Sequence, residues 1–170
     1  MDDAANEKRT GGGARDGVTA HGYFMAEVIR DTPDGPKVIH RVTAKNLIVN
    51  TGKRQTWRMA CGLNTNDWDQ GRIGINSAAA GSGDTNVKTA ITGTINTVDS
   101  KTLLAGTRTL RLIWSYPSGA GSKSGTVKEI CVLNQNTSPG GSALCRAVLS
   151  PVAVKTTNDK LRLVYSTRLT

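Results

Sequence analysis

Apolar and polar positions alternate with a period of two along most of this chain. In "GYFMAEVIRDT" Phe24, Ala26 and Val28 fall on one face against Tyr23 and Met25 on the other, the pattern of a strand with one buried side. "PDGP" at 33–36 supplies a turn, and "KVIHRVTAKNLIVN" supplies a second strand, so the two predict a β-hairpin. The period then changes. Asn50 or Thr51 is a suitable N-cap, Lys53, Trp57, Ala60 and Cys61 recur at helical spacing, and Gly62 stops the run, which predicts one short helix over about 52–61. That helix is expected to pack Trp57 on a sheet and leave Lys53, Arg54 and Arg58 in solvent; a nucleic-acid surface is the lesser reading of the same residues.

Strand signals resume with "GRIGINS" at 71–77, followed by a loop of small residues, "AAAGSGDT". "TAITGTINTVDSKTLLAG" reads as one or two Thr-rich strands. In "TRTLRLIWSYP" the alternation is clean again, with Leu110, Leu112 and Trp114 opposed to Arg111, Ile113 and Ser115, and three further strands are predicted at 125–134, 143–154 and 160–169. Seven or eight strands with regular turn signals and one helix indicate an all-β fold, a mainly antiparallel β-sandwich spanning 21–170. Residues 1–20 are rich in charge and glycine, lack apolar periodicity, and are expected to form an extended N-terminal arm.

Composition agrees with this reading: of 170 residues 37% are hydrophobic and 4% aromatic, with many Gly, Ser, Thr and Asn, a balance suited to short strands and turns. No stretch approaches the roughly 18 apolar residues of a membrane-spanning helix, and the first residues lack the apolar core of a signal peptide. The chain is therefore expected to be made in a cytoplasm without entering a membrane. Its net charge is +9, and from Lys101 to Arg168 ten basic residues stand against only Glu129 and Asp159. A positive C-terminal sheet would attract nucleic acid or an acidic protein surface, which charge alone does not separate.

Catalytic signatures are absent from the pattern. "PSGAGSKSGT" at 117–126 comes nearest to a phosphate-binding loop, but Ser122 and Pro117 stand where glycines are required, and a strand follows instead of a helix. The two histidines, His21 and His40, lie in no recognisable nucleophile motif. Asp67 and Asp69 flank Trp68 in "NDWDQ", a surface turn or, as the minority reading, a sugar-binding loop. Cys61, Cys131 and Cys145 are too few for a disulfide scaffold and form no zinc pair. If strands 125–134 and 143–154 make a hairpin, however, Cys131 and Cys145 become near-opposites, either a cross-strand disulfide or two buried thiols, and a register slip of one would put them on opposite faces.

Four segments carry a resemblance: "KNLIVNTGKRQTWRMACG", "RIGINSAAAGSGDT", "GTVKEICVLNQ" and "ALCRAVLSPVAVKTTNDKLRLVYSTRLT". Together they are similar to a recurrent family of tailed-bacteriophage virion proteins, with matching positions at Asn46, Gly52, Gly74, Gly83, Asp84, Thr85, Glu129, Leu133, Arg146, Pro151, Lys155, Asp159 and Leu161. The match runs from about Lys45 to the last residue and departs at 86–108 and in the N-terminal arm. The resemblance implies a non-enzymatic structural component of the virion, made in the host cytoplasm, without catalytic residues, metal or cofactor. It would sit at the neck or collar, the tail or fibre base, or the capsid surface. Its partners would be other virion proteins and copies of itself, with nucleic acid less favoured and no membrane. Glu129 and Arg146 are expected to form a cross-strand structural ion pair. The alternative function is a carbohydrate or host-receptor binding module at a tail tip, using Asp67, Trp68 and Asp69.

Overall fold

The computed structural model describes residues 20–63, 67–118, 125–134 and 142–169, with side chains from Gly22 to Arg168. The predicted N-terminal arm lies outside the described residues apart from Ala20. So does most of the Gly/Ser loop at 117–126.

Among the described residues ten strands form two antiparallel five-stranded sheets. The first sheet contains β1 (Ala20–Thr32), β2 (Gly35–Lys45), β6 (Ser100–Leu104), β7 (Thr109–Tyr116) and β10 (Asp159–Leu169) in the order β2-β1-β10-β7-β6. The second contains β3 (Leu47–Ile48), β4 (Gln70–Gly74), β5 (Asn96–Thr97), β8 (Gly125–Leu133) and β9 (Ala143–Lys155) in the order β3-β9-β8-β4-β5. The sequence thus fixes its fold class as expected, an all-β sandwich-like architecture with one α-helix, α1 (Asn50–Ala60). Two of the ten strands, β3 and β5, are two residues long and leave no periodic signal of their own.

Period-two alternation places the core where the pattern predicts it. Phe24, Ala26, Val28, Leu112, Trp114, Leu163 and Tyr165 point inward from the first sheet and meet Ile73, Ile130, Val132, Ala147 and Leu149 of the second. Phe24 and Tyr165 stack in a tilted arrangement with ring centroids 5.0 Å apart. At one side β2 approaches β9, where the His40 Nε2 lies 3.1 Å from the Val152 carbonyl oxygen.

The outer face of the second sheet is covered as well. Val49, Val87, Cys131, Leu133 and Ala143 form a smaller buried cluster there, under the segment from Ile75 to Ile95 and the start of α1. The helix begins two residues earlier than its periodicity suggests. Val49 is its N-cap without a side-chain bond, and Thr51, inside the first turn, donates instead to the Ala143 carbonyl at 3.2 Å. Gly52 lets the helix reach the sheet backbone: a Cβ there would stand 2.2 Å from the Leu144 carbonyl oxygen.

Candidate functional site: a buried ion-pair hub and the surfaces around it

In β8 the alternation that sends Ile130 and Val132 into the core sends Glu129, Cys131 and Leu133 to the outer face. On β9 the partner of Cys131 is Arg146, one step along the sheet from Glu129. Both charged side chains are fully buried, because the 75–95 segment lies over them. An isolated buried charge is costly, and it is tolerated only with a partner and full hydrogen bonding. Here both conditions are met. The expected Glu129–Arg146 pair forms, with Arg146 Nη2 2.7 Å and Nε 2.8 Å from Glu129 Oε2.

The remaining donors of Arg146 hold the covering segment. Nη1 donates to the Ala79 carbonyl at 3.1 Å and to Asp84 Oδ2 at 3.0 Å, and Nη2 donates to the Ala78 carbonyl at 3.0 Å. Every N–H of the guanidinium fork is thereby used. Glu129 grips the same segment from the other side: Oε1 accepts from the backbone N–H groups of Asn76 at 3.1 Å and Thr89 at 2.9 Å, and Oε2 accepts from that of Lys88 at 2.9 Å. Asp84 closes its own turn by accepting from Gly81 N–H at 2.8 Å. Gly74 is required beside them, since a Cβ at that position would lie 2.5 Å from both Glu129 Oε1 and the Thr89 carbonyl oxygen. Gly74, Asp84, Glu129 and Arg146, scattered through the sequence, therefore meet in one dry network. With every N–H of Arg146 engaged and only Asp84 reaching partly to water, its chemistry is to hold an irregular segment in one place. The joining of Asp84 to the pair was not legible, because it arrives through a loop with no period to position it.

Cys131 and Cys145 are both buried and both free. The hairpin register is offset by one from the expectation: Cys131 pairs with Arg146, and Val132 pairs with Cys145. The two thiols accordingly face opposite sides of the sheet, Cys145 in the inner core and Cys131 in the outer cluster, where no disulfide can join them. A bulge between Val132 and Leu133 produces the offset, and nothing in the residue types announces it. Burial pushes the Cys145 thiol up to about 12 and raises that of Cys131 as well, so neither is a nucleophile at neutral pH.

The "NDWDQ" loop is structural. Trp68 is 6% exposed and belongs to the main core, so its ring presents no stacking face to a sugar. Asp67 pairs with Lys101 and accepts from the Trp68 N–H at 2.7 Å, while the Asp69 carbonyl accepts from Trp114 Nε1 at 3.0 Å. The hydrogen bond from Lys101, opposed by partial burial, leaves the Asp67 carboxyl below its ordinary value. The three residues tie β4 to the first sheet.

Two further carboxylates repeat the logic of the hub. Glu27, buried on the outer face of the first sheet, lies directly across from Arg41 on one side and Arg162 on the other. Their Nε atoms donate to its two oxygens at 2.8 and 2.7 Å. Burial alone would raise the Glu27 pKa, but the bonds from Arg162 and Arg41 overcome it and the net direction is down. Asp159 receives Arg30 Nε at 2.8 Å and the N–H and hydroxyl of Thr156 at 2.9 and 2.6 Å. Arg30 is the main reason that its carboxyl falls far below the carboxylate range. Alternation alone, read with the strand order, would have found the Glu27 triad.

The helix reverses the expectation for its tryptophan. Trp57 does not pack on the sheet but stands 73% exposed, with Lys53, Arg54 and Arg58 exposed around it. Gly52, Thr51 and the half-buried Met59 form the docked side instead, which leaves the large apolar side chain on the solvent face. Comparison of the chain with protein-family models, with curated proteins and with solved structures returns no match.

Proposed function

We propose that this chain is a non-enzymatic structural component of a tailed-phage virion, placed at the neck or collar, in the tail or fibre attachment, or on the capsid surface. It assembles in multiple copies through sheet edges and its N-terminal arm. The observation that carries the reading is the buried hub. Four positions on which the resemblance rests, Gly74, Asp84, Glu129 and Arg146, converge in a network that immobilises a long irregular segment on a sheet. The groups best suited to chemistry are thus consumed by architecture. Edges support the same reading: among the described residues no further strand pairs with the outer sides of β2 or β6, which leaves backbone donors and acceptors for a neighbouring chain. Many modest contacts of this kind become a stable particle through multiplicity.

Immunogold labelling of intact purified particles with antibody raised against the folded chain tests the proposal. Gold at one repeated position on the particle supports it. Label that follows unassembled protein and never particles refutes it.

A further inference from the structure

The solvent face of α1 is a cationic surface built around an aromatic ring. Positions 53, 54, 57, 58 and 61 lie on neighbouring turns of one side of a helix, and they are Lys53, Arg54, Trp57, Arg58 and Cys61, all exposed. Trp57 is the most exposed large hydrophobic side chain of the described surface. None of the three cations has a carboxylate within ion-pair distance among the described residues, and the helix has no acidic residue in its first turn. The helix itself is firmly seated, with Val49 N–H donating to the Leu144 carbonyl at 3.1 Å and Asn50 N–H to that of Ser82 at 2.8 Å. Exposure of the ring is therefore a property of a fixed element.

Three kinds of occupant would match a positive surface, and two fit poorly. A second copy would need a free acidic patch, but of the exposed carboxylates among the described residues Asp31, Asp34 and Asp67 are already paired with Lys160, Lys37 and Lys101, which leaves Asp99 alone and no patch. An acidic protein seated on Trp57 would have to bring Asp or Glu, residue types depleted at interface centres, into the middle of the contact and strip water from three cations there. A polyanion that carries flat, stackable rings satisfies both features together, because phosphates remain at the wet rim while a base covers the indole.

We propose that this face of α1 binds single-stranded nucleic acid, with a base stacked on Trp57 and backbone phosphates on Lys53, Arg54 and Arg58. The proposal is independent of the assembly reading, since a chain absent from particles would still bind through this face. Base–aromatic stacking and phosphate contacts together make such binding tolerant of sequence and sensitive to salt.

The test is titration of the purified full chain with an oligothymidylate of about 20 nucleotides, longer than a single-stranded site on one domain requires. Indole fluorescence and the anisotropy of an end-labelled strand are followed together, at about 50 mM salt and above. Trp68 and Trp114 are buried and supply a constant background, so saturable quenching reports Trp57. Three phosphate contacts predict that log K falls with log salt at a slope of about −2. Trp57→Ala should abolish the quenching and weaken binding about fivefold to a hundredfold. The triple variant Lys53→Ala, Arg54→Ala, Arg58→Ala should flatten the salt slope, and Arg111→Ala on the other sheet should change neither. All these side chains are exposed, and unchanged thermal melts confirm that the variants fold. Absence of binding at the lowest salt overturns the proposal. So does binding that survives both α1 variants, or a duplex of the same length that binds more tightly than the single strand.

Discussion

Replacing Arg146 by Met keeps most of the aliphatic volume and removes the charge, leaving Glu129 wholly buried and without its counter-ion. Breaking a buried pair by removing one partner costs about 3–5 kcal/mol, because the surviving charge is uncompensated. Two features bear on where in that range the loss falls. Glu129 keeps three backbone N–H donors, which moderates it, but those donors belong to the segment that Arg146 also held through Ala78, Ala79 and Asp84. Loosening the segment would weaken both sets of bonds, so the upper half of the range is expected. For a chain of this size each kcal/mol moves Tm by about 2–4 °C, so a loss of about 4–5 kcal/mol gives a fall of roughly 8–20 °C. Urea unfolding of Arg146→Met, Glu129→Gln and the double variant, followed by circular dichroism and tryptophan fluorescence, measures it. The double variant should be less destabilised than the sum of the singles by about 1–3 kcal/mol, the signature of a coupled pair. A loss below about 1 kcal/mol for Arg146→Met, with additive singles, would show that the segment is held by something else.

Other consequences are simpler to check. One thiol, that of Cys61, should react with a thiol reagent in the native protein at pH 8 and three after denaturation without reductant; fewer than three would reveal a disulfide that the register forbids. Asp159 has a folded pKa below its unfolded one, so its stabilisation is present above the ordinary carboxylate pKa near 4 and is lost as pH falls toward the folded value. Urea midpoints of Asp159→Asn should therefore fall less steeply than those of the parent between about pH 4 and pH 2, and parallel curves would contradict the assignment. Gly52→Ala should destabilise by at least about 1–3 kcal/mol, because the methyl meets the backbone of Leu144 and not a side chain that can turn aside.

Much of the fold was legible because alternation is imposed by burial itself. Phe24, Ala26 and Val28 in β1, and Leu112 and Trp114 in β7, had to share a face, and they line the core as read. What failed was placement that depends on irregular backbone. The two tryptophans exchange their expected roles: Trp68, in a segment with no period, is carried inward, while Trp57, on a helix that docks through a glycine, is left outside. Helical spacing shows which residues share a face but not which face docks, and at α1 the answer was written in Gly52. The Thr-rich stretch yielded only β5, β6 and the end of the covering segment, which Glu129, far away in sequence, holds at Thr89. The cysteine register turned on a single bulge, and a slip of one residue reverses every side chain beyond it. For the ion pair the outcome was the reverse: two opposite charges on strands expected to pair as a hairpin were expected to meet, and they do.

The proposed role is that of a building element of a phage particle, present in repeated copies. Quantitative mass spectrometry of particles banded on a density gradient, with isotope-labelled peptides from β8 and β9 as standards, measures it most directly. The account predicts that the chain co-purifies through the final band at a constant ratio to the major capsid protein, a ratio corresponding to several copies per particle. Its absence from that band, or an amount that falls with each round of purification, would contradict the account.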